Sequence, residues 1–441
     1  MISSLNPPPA VWKIASTLEN AGFETWCVGG AVRDAILGHA HLDWDLATAA
    51  RPKQVRNLFA RTVPVGIDFG TIGVLDNDGV MHEVTTFRRD VHTDGRHAIV
   101  DFGASLEEDL ARRDYTINAI AYSPARKELR DPFHGQQDLE KRLVRAVGEP
   151  HERMREDRLR ALRAMRFAAR FGFDIEPLTW DAIVASGPML SRLSAERVKQ
   201  EIEKTMDQVR LPSTAFSLWK KSGAFETLIP TLANISDLEL ASLDRMCMPN
   251  LPGRPQRRIA RMIGLFAAAP PETVLETLKS LRFSNADAAW IHGVISRWSV
   301  MKAELSTGMA EASGPDDATL RRWAAAAGRT RLASVLRLSA ARWTAERAAG
   351  MSAPSPTNIA SAYRRATRIA YRDPIEVGDL AVNGRDLEKL GMVGPSVGRT
   401  LRKLLELVIN DPAANSRTGL LDNAQLMLDD IRAGTGDHQA L

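Results

Sequence analysis

Apolar residues recur at helical spacing from Val11 to Ala21, and then the period changes. Thr25 to Val28 is a short apolar run that ends on Gly29-Gly30, which predicts a strand feeding a turn, and Ala31 to Leu37 resumes the helical period. Asp43 to Leu46 predicts a second strand, Pro52 to Ala60 a helix, and Gly73 to Leu75 with Met81 to Thr86 a hairpin about Asp76-Asn77-Asp78-Gly79. The charged and small residues from Arg88 to Val100 predict a flexible segment ahead of a helical stretch at Leu106 to Leu110. From Glu152 onward the pattern is helical, through Leu159, Leu162, Met165 and Ala169, then Val198 to Met206, Ala215 to Lys221 and Leu238 to Met246. No strand is predicted beyond Pro150. Breaks fall at Pro249 to Pro255, Pro270-Pro271 and Gly350 to Pro356. The fold class is therefore α+β, with a small mixed unit over 1–150 and helical pieces over 151–212, 213–350 and 351–441.

A chain of 441 residues exceeds a single core, which agrees with several domains. With 44% hydrophobic and 25% charged residues, the composition is that of a soluble globular protein. No segment approaches the roughly 18 uninterrupted apolar residues of a membrane span, and the first ten residues lack a secretory pattern. Two distant cysteines, Cys27 and Cys247, make neither a thiol metal site nor a disulfide framework, so the expected compartment is the cytoplasm and no membrane partner is expected. The net charge of +4 says little, but its distribution says more: His151 to Arg170 holds seven arginines against three acids, and Arg254 to Arg261 four arginines and no acid. Arginine suits planar recognition of phosphates and bases; a GC-rich genome favours it equally.

The Gly29-Gly30 turn between strand and helix lets backbone approach a phosphate, and Arg33 in the first helical turn can add a bidentate contact to the same triphosphate. Such turns are also common as plain structure. Asp43-Trp44-Asp45 changes the balance, because side chains at i and i+2 of a strand share a face. Two carboxylates so placed repel unless a cation lies between them, and their oxygens suit Mg²⁺. A pair of such ions roughly 3.5–4 Å apart activates an attacking 3′-hydroxyl and stabilises the departing pyrophosphate. Glu83 is the candidate third carboxylate, in competition with Asp68, Asp76 and Asp78, the last two also being turn formers. Arg88, just beyond that strand, is a candidate for the triphosphate, against an exposed arginine of no special role.

Arg113 in Arg112-Arg113-Asp114-Tyr115-Thr116-Ile117-Asn118 is either a phosphate or sugar ligand or one half of an ion pair between elements. Asp131-Pro132-Phe133 with Gly135, and Asp138-Leu139, read as scaffolding. In Glu156-Asp157-x-x-Arg160-x-x-Arg163-x-x-Arg166-Phe167, Asp157 and Arg160 fall one helical turn apart and either share a ligand or pair with each other. An aspartate only accepts and an arginine only donates, which matches the amino donor and ring-nitrogen acceptor of cytosine and adenine. Uracil and guanine present the opposite arrangement and would leave buried groups unpaired.

These residues resemble the class II tRNA nucleotidyltransferases, a family of CCA-adding enzymes and bacterial poly(A) polymerases. The resemblance runs through Val28-Gly29-Gly30-Ala31-Val32-Arg33-Asp34 with Asp43-Trp44-Asp45, Glu107-Glu108-Asp109-Leu110-x-Arg112-Arg113-Asp114, Asp131 to Leu139, and Glu156 to Phe167. Leu193-Ser194-Ala195-Glu196-Arg197 with Glu201 is similar to the element that closes the family's neck. It implies a nucleotidyltransferase (polymerase-β-like) head over 1–150, a neck carrying the templating helix over 151–212, a body over 213–350 and a tRNA-binding tail over 351–441. It implies CTP and ATP as substrates, tRNA as partner, Mg²⁺ as cofactor, and nucleotide contacts from Gly30, Arg33, Arg113, Asp157, Arg160, Arg163 and Arg166. The Arg88 to Val100 segment resembles the loop that lets the family's pocket pass from CTP to ATP.

Val65-Gly66-Ile67-Asp68-Phe69-Gly70-Thr71 is similar to the CCA-type continuation and lacks the arginine-rich segment of many poly(A) polymerases, which stand as the alternative. Arg158 departs from the proline of many relatives, and no His-Asp phosphohydrolase pattern is present. Asn383 to Leu387 and Gly391 to Gly398 read either as a phosphate-approaching glycine turn or as an ordinary connection between helices.

Overall fold

The computed structural model describes residues 5–39, 43–93, 98–246, 254–310 and 313–436. Cys247 and most of the expected break at Pro249 to Pro255 lie outside them. The chain falls into two compact units, Met1–Ala233 and Asn234–Leu441. The boundary expected after residue 150 lies within the first unit and that expected near 350 within the second; head, neck, body and tail stand as a proposed subdivision.

The first unit opens with α1 (Pro9–Asn20), β1 (Thr25–Val28), α2 (Gly30–Ile36), β2 (Asp45–Thr48), α3 (Pro52–Leu58), β3 (Thr62–Gly66), β4 (Thr71–Leu75) and β5 (Met81–Thr86). It continues with β6 (Arg88–Thr93), β7 (Ala98–Phe102), α4 (Leu106–Ala111), β8 (Ala121–Ser123), β9 (Glu128–Arg130), α5 (Gly135–Glu140) and β10 (Leu143–Val144). Seven strands form one sheet in the order β3-β4-β5-β2-β1-β8-β9, antiparallel throughout except for the parallel β2–β5 pair. Strand β1 is rich in residues that fit a pleated surface, and its Thr25 joins hydroxyls with Thr48 of β2 at 2.9 Å. A core of Trp26, Val28, Ala47, Phe87, Leu106, Leu110, Ala119, Ala121 and Val147 lies beneath.

Several elements differ from expectation. The segment after Arg88, expected to be flexible, carries a strand pair: β6 and β7 pair antiparallel, with Arg88 opposite Phe102. Its charges masked the β-branched Val91, Thr93, Ile99 and Val100, which favour a ladder; residues 94–97 lie outside the described range. Strand β3 carries Pro64 at its middle, tolerated because β3 is a sheet edge. Beyond Pro150 the two-residue β11 (Asp174–Ile175) pairs parallel to β10, following α6 (Pro150–Glu156) and α7 (Leu159–Phe171).

The helix expected across residues 152–169 is two helices. Asp157, at φ −146° and ψ 104°, ends α6 in an extended conformation, and α7 starts two residues later. Arg158 sits at φ −58°, close to the angle a proline ring fixes. Gly172 closes α7 at φ +67°. The unit ends with α8 (Pro177–Ser186), α9 (Ala195–Gln208), α10 (Pro212–Lys221) and α11 (Ala224–Leu228).

The described part of the second unit is helical: α12 (Asp237–Leu243), α13 (Arg254–Phe266), α14 (Pro271–Ser280), α15 (Asn285–Ala310), α16 (Asp317–Ala327), α17 (Leu332–Ala348), α18 (Pro356–Arg372), α19 (Gly384–Lys389), α20 (Pro395–Asn410) and α21 (Arg417–Gly436). Leu380, Leu387, Leu404, Val408 and Leu420 gather the last three into one core. Among the described residues no helix is long and apolar enough to cross a membrane.

Candidate active site

Strand β1 delivers the chain into Gly29 at φ +76° and ψ −135°, a conformation that side chains resist. A Cβ at Gly29 would stand 3.1 Å from Nη1 of Arg113 and 4.0 Å from Oδ2 of Asp45. The glycine therefore lets the turn approach a guanidinium and a carboxylate at once. Asp45 reaches it because β2 pairs Asp45 with Val28, the residue before the turn.

Although β2 starts at Asp45, burial alternates from exposed Asp43 through buried Trp44 to half-buried Asp45 and buried Leu46, so the two aspartates share a face. Leu46 pairs with Val84, which sets Glu83 beside Asp45 on that same face. Burial, then Asp43, then Glu83 push the Asp45 carboxyl up to about 6, against the pull of Arg113. The competing carboxylates are placed otherwise: Asp76 Oδ1 accepts from the backbone N–H of Asp78 and Val80, which makes it a turn former, and Asp68 lies in the 3₁₀ turn Ile67–Phe69. Among the described residues no three acidic, histidine or cysteine side chains close into a metal cage. Two carboxylates raised in energy by each other's charge still fit Mg²⁺, which keeps several waters and takes few protein ligands beside substrate phosphates.

Arg113 supplies the cationic side. Its Nη2 donates to Asp109 Oδ2 at 3.2 Å, and its buried Nε has no acceptor among the described residues. Asp109, only 1% exposed, also takes Arg112 at 2.8 Å and so orients both arginines. The signal in the sequence for this role is the i, i+4 spacing of Asp109 and Arg113.

Arg33 is held inside the unit. It was expected to reach a triphosphate, yet its guanidinium is turned inward, donating to Asp34 from Nε at 2.7 Å and to Asn118 from Nη1, with Nη2 on Asp34 at 2.6 Å. It lies 4.6 Å from the Phe171 ring centroid and 5.3 Å from that of Phe167. Burial lowers its pKa against the counter-pull of Asp34. Asn118 passes the connection on, donating to Asp114 Oδ1 at 2.9 Å, and Arg163 donates to Asp114 Oδ2 at 2.8 Å. Arg33 is thereby a strut between α2 and α7, and Arg163 is held on Asp114.

Asp157 and Arg160 keep one turn between them, the Arg160 N–H donating to the Asp157 carbonyl at 3.1 Å, while their side chains take other partners. Asp157 Oδ1 caps Leu159 N at 3.0 Å and Oδ2 accepts Arg197 at 2.7 Å. Arg160, 8% exposed, donates to Glu156 at 2.7 Å and to the carbonyls of Arg153 and Arg112. Arg166 faces neither of them but pairs with Glu201 inside the unit. Arg88 donates to the Phe69 carbonyl and lies 5.9 Å from that ring. The expected scaffolding roles hold: Asp131 accepts from Gly135 and Gln136 N–H, and Asp138 takes Thr116 at 2.7 Å.

The chain is similar to known proteins over most of its length. Residues 25–145 match the family model described as the poly A polymerase head domain, and residues 172–236 the model described as a probable RNA and SrmB-binding site of polymerase A. The chain is 32% identical over 420 residues to a CCA-adding enzyme of Pediococcus pentosaceus, covering 93% of this chain and 95% of that one. It is 34% identical over 408 residues to a CCA-adding enzyme of Geobacillus kaustophilus, covering 92% and 93%. The crystal structure of the Bacillus stearothermophilus CCA-adding enzyme in complex with CTP superposes at a TM-score of 0.74, with 30% identity over 97% of this chain and all of that one. With Asp43 and Asp45 on one face at the start of β2, the Gly29 turn and likeness of this extent, the chain belongs to the class II tRNA nucleotidyltransferases, among the CCA-adding enzymes.

Proposed function

We propose that this protein adds C, C and A in turn to the 3′ end of tRNA, taking CTP and ATP and releasing pyrophosphate, with no nucleic acid template. The observation that carries the proposal is the shared face of Asp43 and Asp45, brought within reach of Gly29 and Arg113 by the β1–β2 register. Asp43 and Asp45 would hold Mg²⁺, with Glu83 adjoining. When bound, the ion supplies Lewis acidity at the α-phosphate and lowers the pKa of the attacking 3′-hydroxyl. Arg113, with an unpaired buried Nε, binds phosphate or sugar of the incoming nucleotide, and the Gly29 turn keeps the backbone close enough for it to do so.

Base choice falls to Asp157 and Arg160. In the arrangement described, Arg197 holds the first and Glu156 the second, so accepting a base requires both partners to turn aside. Cytosine and adenine offer the donor and acceptor that replace them; uracil and guanine do not. Arg33, Arg163 and Arg166 hold the α7 framework that carries the pair. Placement in the cytoplasm, where the two-cysteine composition points, suits such an enzyme.

The runner-up is poly(A) synthesis, which the description of the matched head model keeps open. Sequencing the 3′ ends made from tRNA lacking its last three nucleotides, with Mg²⁺ and all four NTPs, separates the two. C-C-A termini support the proposal, and an A-only homopolymer overturns it in favour of the runner-up. Asp43→Ala and Asp45→Ala should each abolish addition while leaving the fold intact; a variant with near wild-type activity would remove the carboxylate pair from the mechanism.

A further inference from the structure

At the β3–β4–β5 end of the sheet face that carries the carboxylates, an apolar surface adjoins them. Glu83 pairs with Gly73 across β5 and β4, and Gly73 with Val63 across β4 and β3, so Asp45, Glu83, Gly73 and Val63 form one row on one face. A Cβ at Gly73 would meet Met81 Sδ at 2.6 Å and Val65 Cγ2 at 3.0 Å. The glycine thus opens a slot into which Met81 and Val65 lie down, making a continuous floor about two strand spacings, roughly 10 Å, from Asp45. That floor is not covered: Val65 is 44% exposed, Met81 41%, and Phe69 in the following turn 49%, with Val63 and Ile67 similarly open.

Clustered exposed side chains of this kind mark a contact surface rather than chance exposure. Their occupant is not another strand, because Pro64 removes an N–H from the middle of β3, the sheet edge that would have to pair. Position narrows the choice further. The floor continues directly into the carboxylate face, and Arg88 beside Phe69 puts positive charge at its border, where a phosphate backbone would run. We infer that Val65, Met81 and Phe69 form the platform on which the unpaired 3′-terminal bases of the RNA acceptor stack, so that its 3′-hydroxyl reaches Asp43 and Asp45. This rests on the transferase reading above. Apolar and aromatic contact with base faces tolerates any base, as an end that changes from one addition to the next demands.

The test is a coupling experiment on the full chain. Wild type and a Val65→Ser/Met81→Ser variant are compared in single AMP addition to tRNA lacking only its last nucleotide, and to the same tRNA with an abasic 3′-terminal nucleotide. The variant is expected to raise the KM for the intact RNA about tenfold, to leave ATP binding and the melting temperature unchanged, and to match wild type on the abasic RNA. Equal losses on both RNAs, or none on the intact one, would overturn the platform while leaving the transferase reading standing. Unchanged kinetics accompanied by loss of a wild-type dimer would reassign the surface to a second copy of this chain. Absence of any addition by wild type would overturn both readings.

Discussion

The Arg166 guanidinium and the Glu201 carboxylate meet at 2.7 Å with 3% and 1% residual exposure, joining α7 to α9 inside the first unit. Gln208 accepts a further hydrogen bond from Arg166 at 3.1 Å, and Lys204 stands 3.8 Å from the same glutamate. The family resemblance implies a nucleotide contact for Arg166; in the structure its guanidinium is taken up by Glu201 across the fold.

Breaking this pair should cost stability far more than chemistry. Arg166→Ala or Glu201→Ala leaves a buried charge without its partner, which costs about 3–5 kcal/mol. The midpoint of urea unfolding, followed by tryptophan fluorescence, should fall accordingly. Arg166→Met with Glu201→Leu, which removes both charges together, should recover most of the loss. If the double variant is as unstable as either single one, the pair is not the reason these helices hold together.

What the sequence made legible and what it hid follow from range. Thr25–Val28 and the Asp76–Gly79 hairpin depend on adjacent residues, and the structure has them where the pattern put them. The shared face of Asp43 and Asp45 was legible for the same reason. Strand β8 is three residues long, buried on both sides and without alternation, so no local period announces it. The fate of Arg33 is decided by Asn118, 85 residues away, and that of Asp157 by Arg197, 40 residues away. Both side chains carry the same charges whether they face a ligand or a partner, and only the fold chooses. The break at Asp157 was hidden because apolar spacing continues across it in helical register.

Gly29 should resist substitution for two separable reasons. Alanine there pays for φ +76° and ψ −135° with about 1–3 kcal/mol, and its methyl would press on Arg113 at 3.1 Å. Gly29→Ala should therefore lose nucleotide affinity beyond its loss of stability. Gly172→Ala, also at positive φ with nothing within 4 Å, supplies the control for strain alone. Equal effects of the two on nucleotide binding at matched folded fraction would separate Gly29 from the site.

Asp114 gives the first unit a defined acid limit. Burial raises its carboxyl, but Arg163, the hydrogen bond from Asn118 and the charge of Arg160 outweigh burial and hold it at about 2. An acid whose folded pKa lies below its unfolded value stabilises the fold above the unfolded pKa, and that contribution is lost as pH falls through the folded one. The gap in unfolding free energy between wild type and Asp114→Asn should be level from neutral pH down to near 4, at about 2 kcal/mol or more. It should then narrow as pH falls toward 2. A gap that stays level to pH 2 would mean that charge at Asp114 is not what the variant removes.

Base selection provides the sharpest division between frame and pocket. Arg197 pairs with Asp157 and Glu156 with Arg160, so the two side chains proposed to template the base become available only in exchange for these partners. Asp157→Ala removes the acceptor that an exocyclic amino group needs, and it should relax discrimination against UTP and GTP by tenfold or more, since each mismatched buried hydrogen bond is worth about 1–3 kcal/mol. Arg197→Met keeps the acceptor and removes only its competitor. It should therefore keep the preference for CTP and ATP while changing the KM for both, because a base no longer has to displace a cation from Oδ2. Incorporation of each NTP, measured singly on tRNA lacking its terminal nucleotides, reads both variants. Unchanged selectivity in Asp157→Ala would move base choice elsewhere, and loss of selectivity in Arg197→Met would make Arg197 part of the recognition surface rather than a partner that yields to the base.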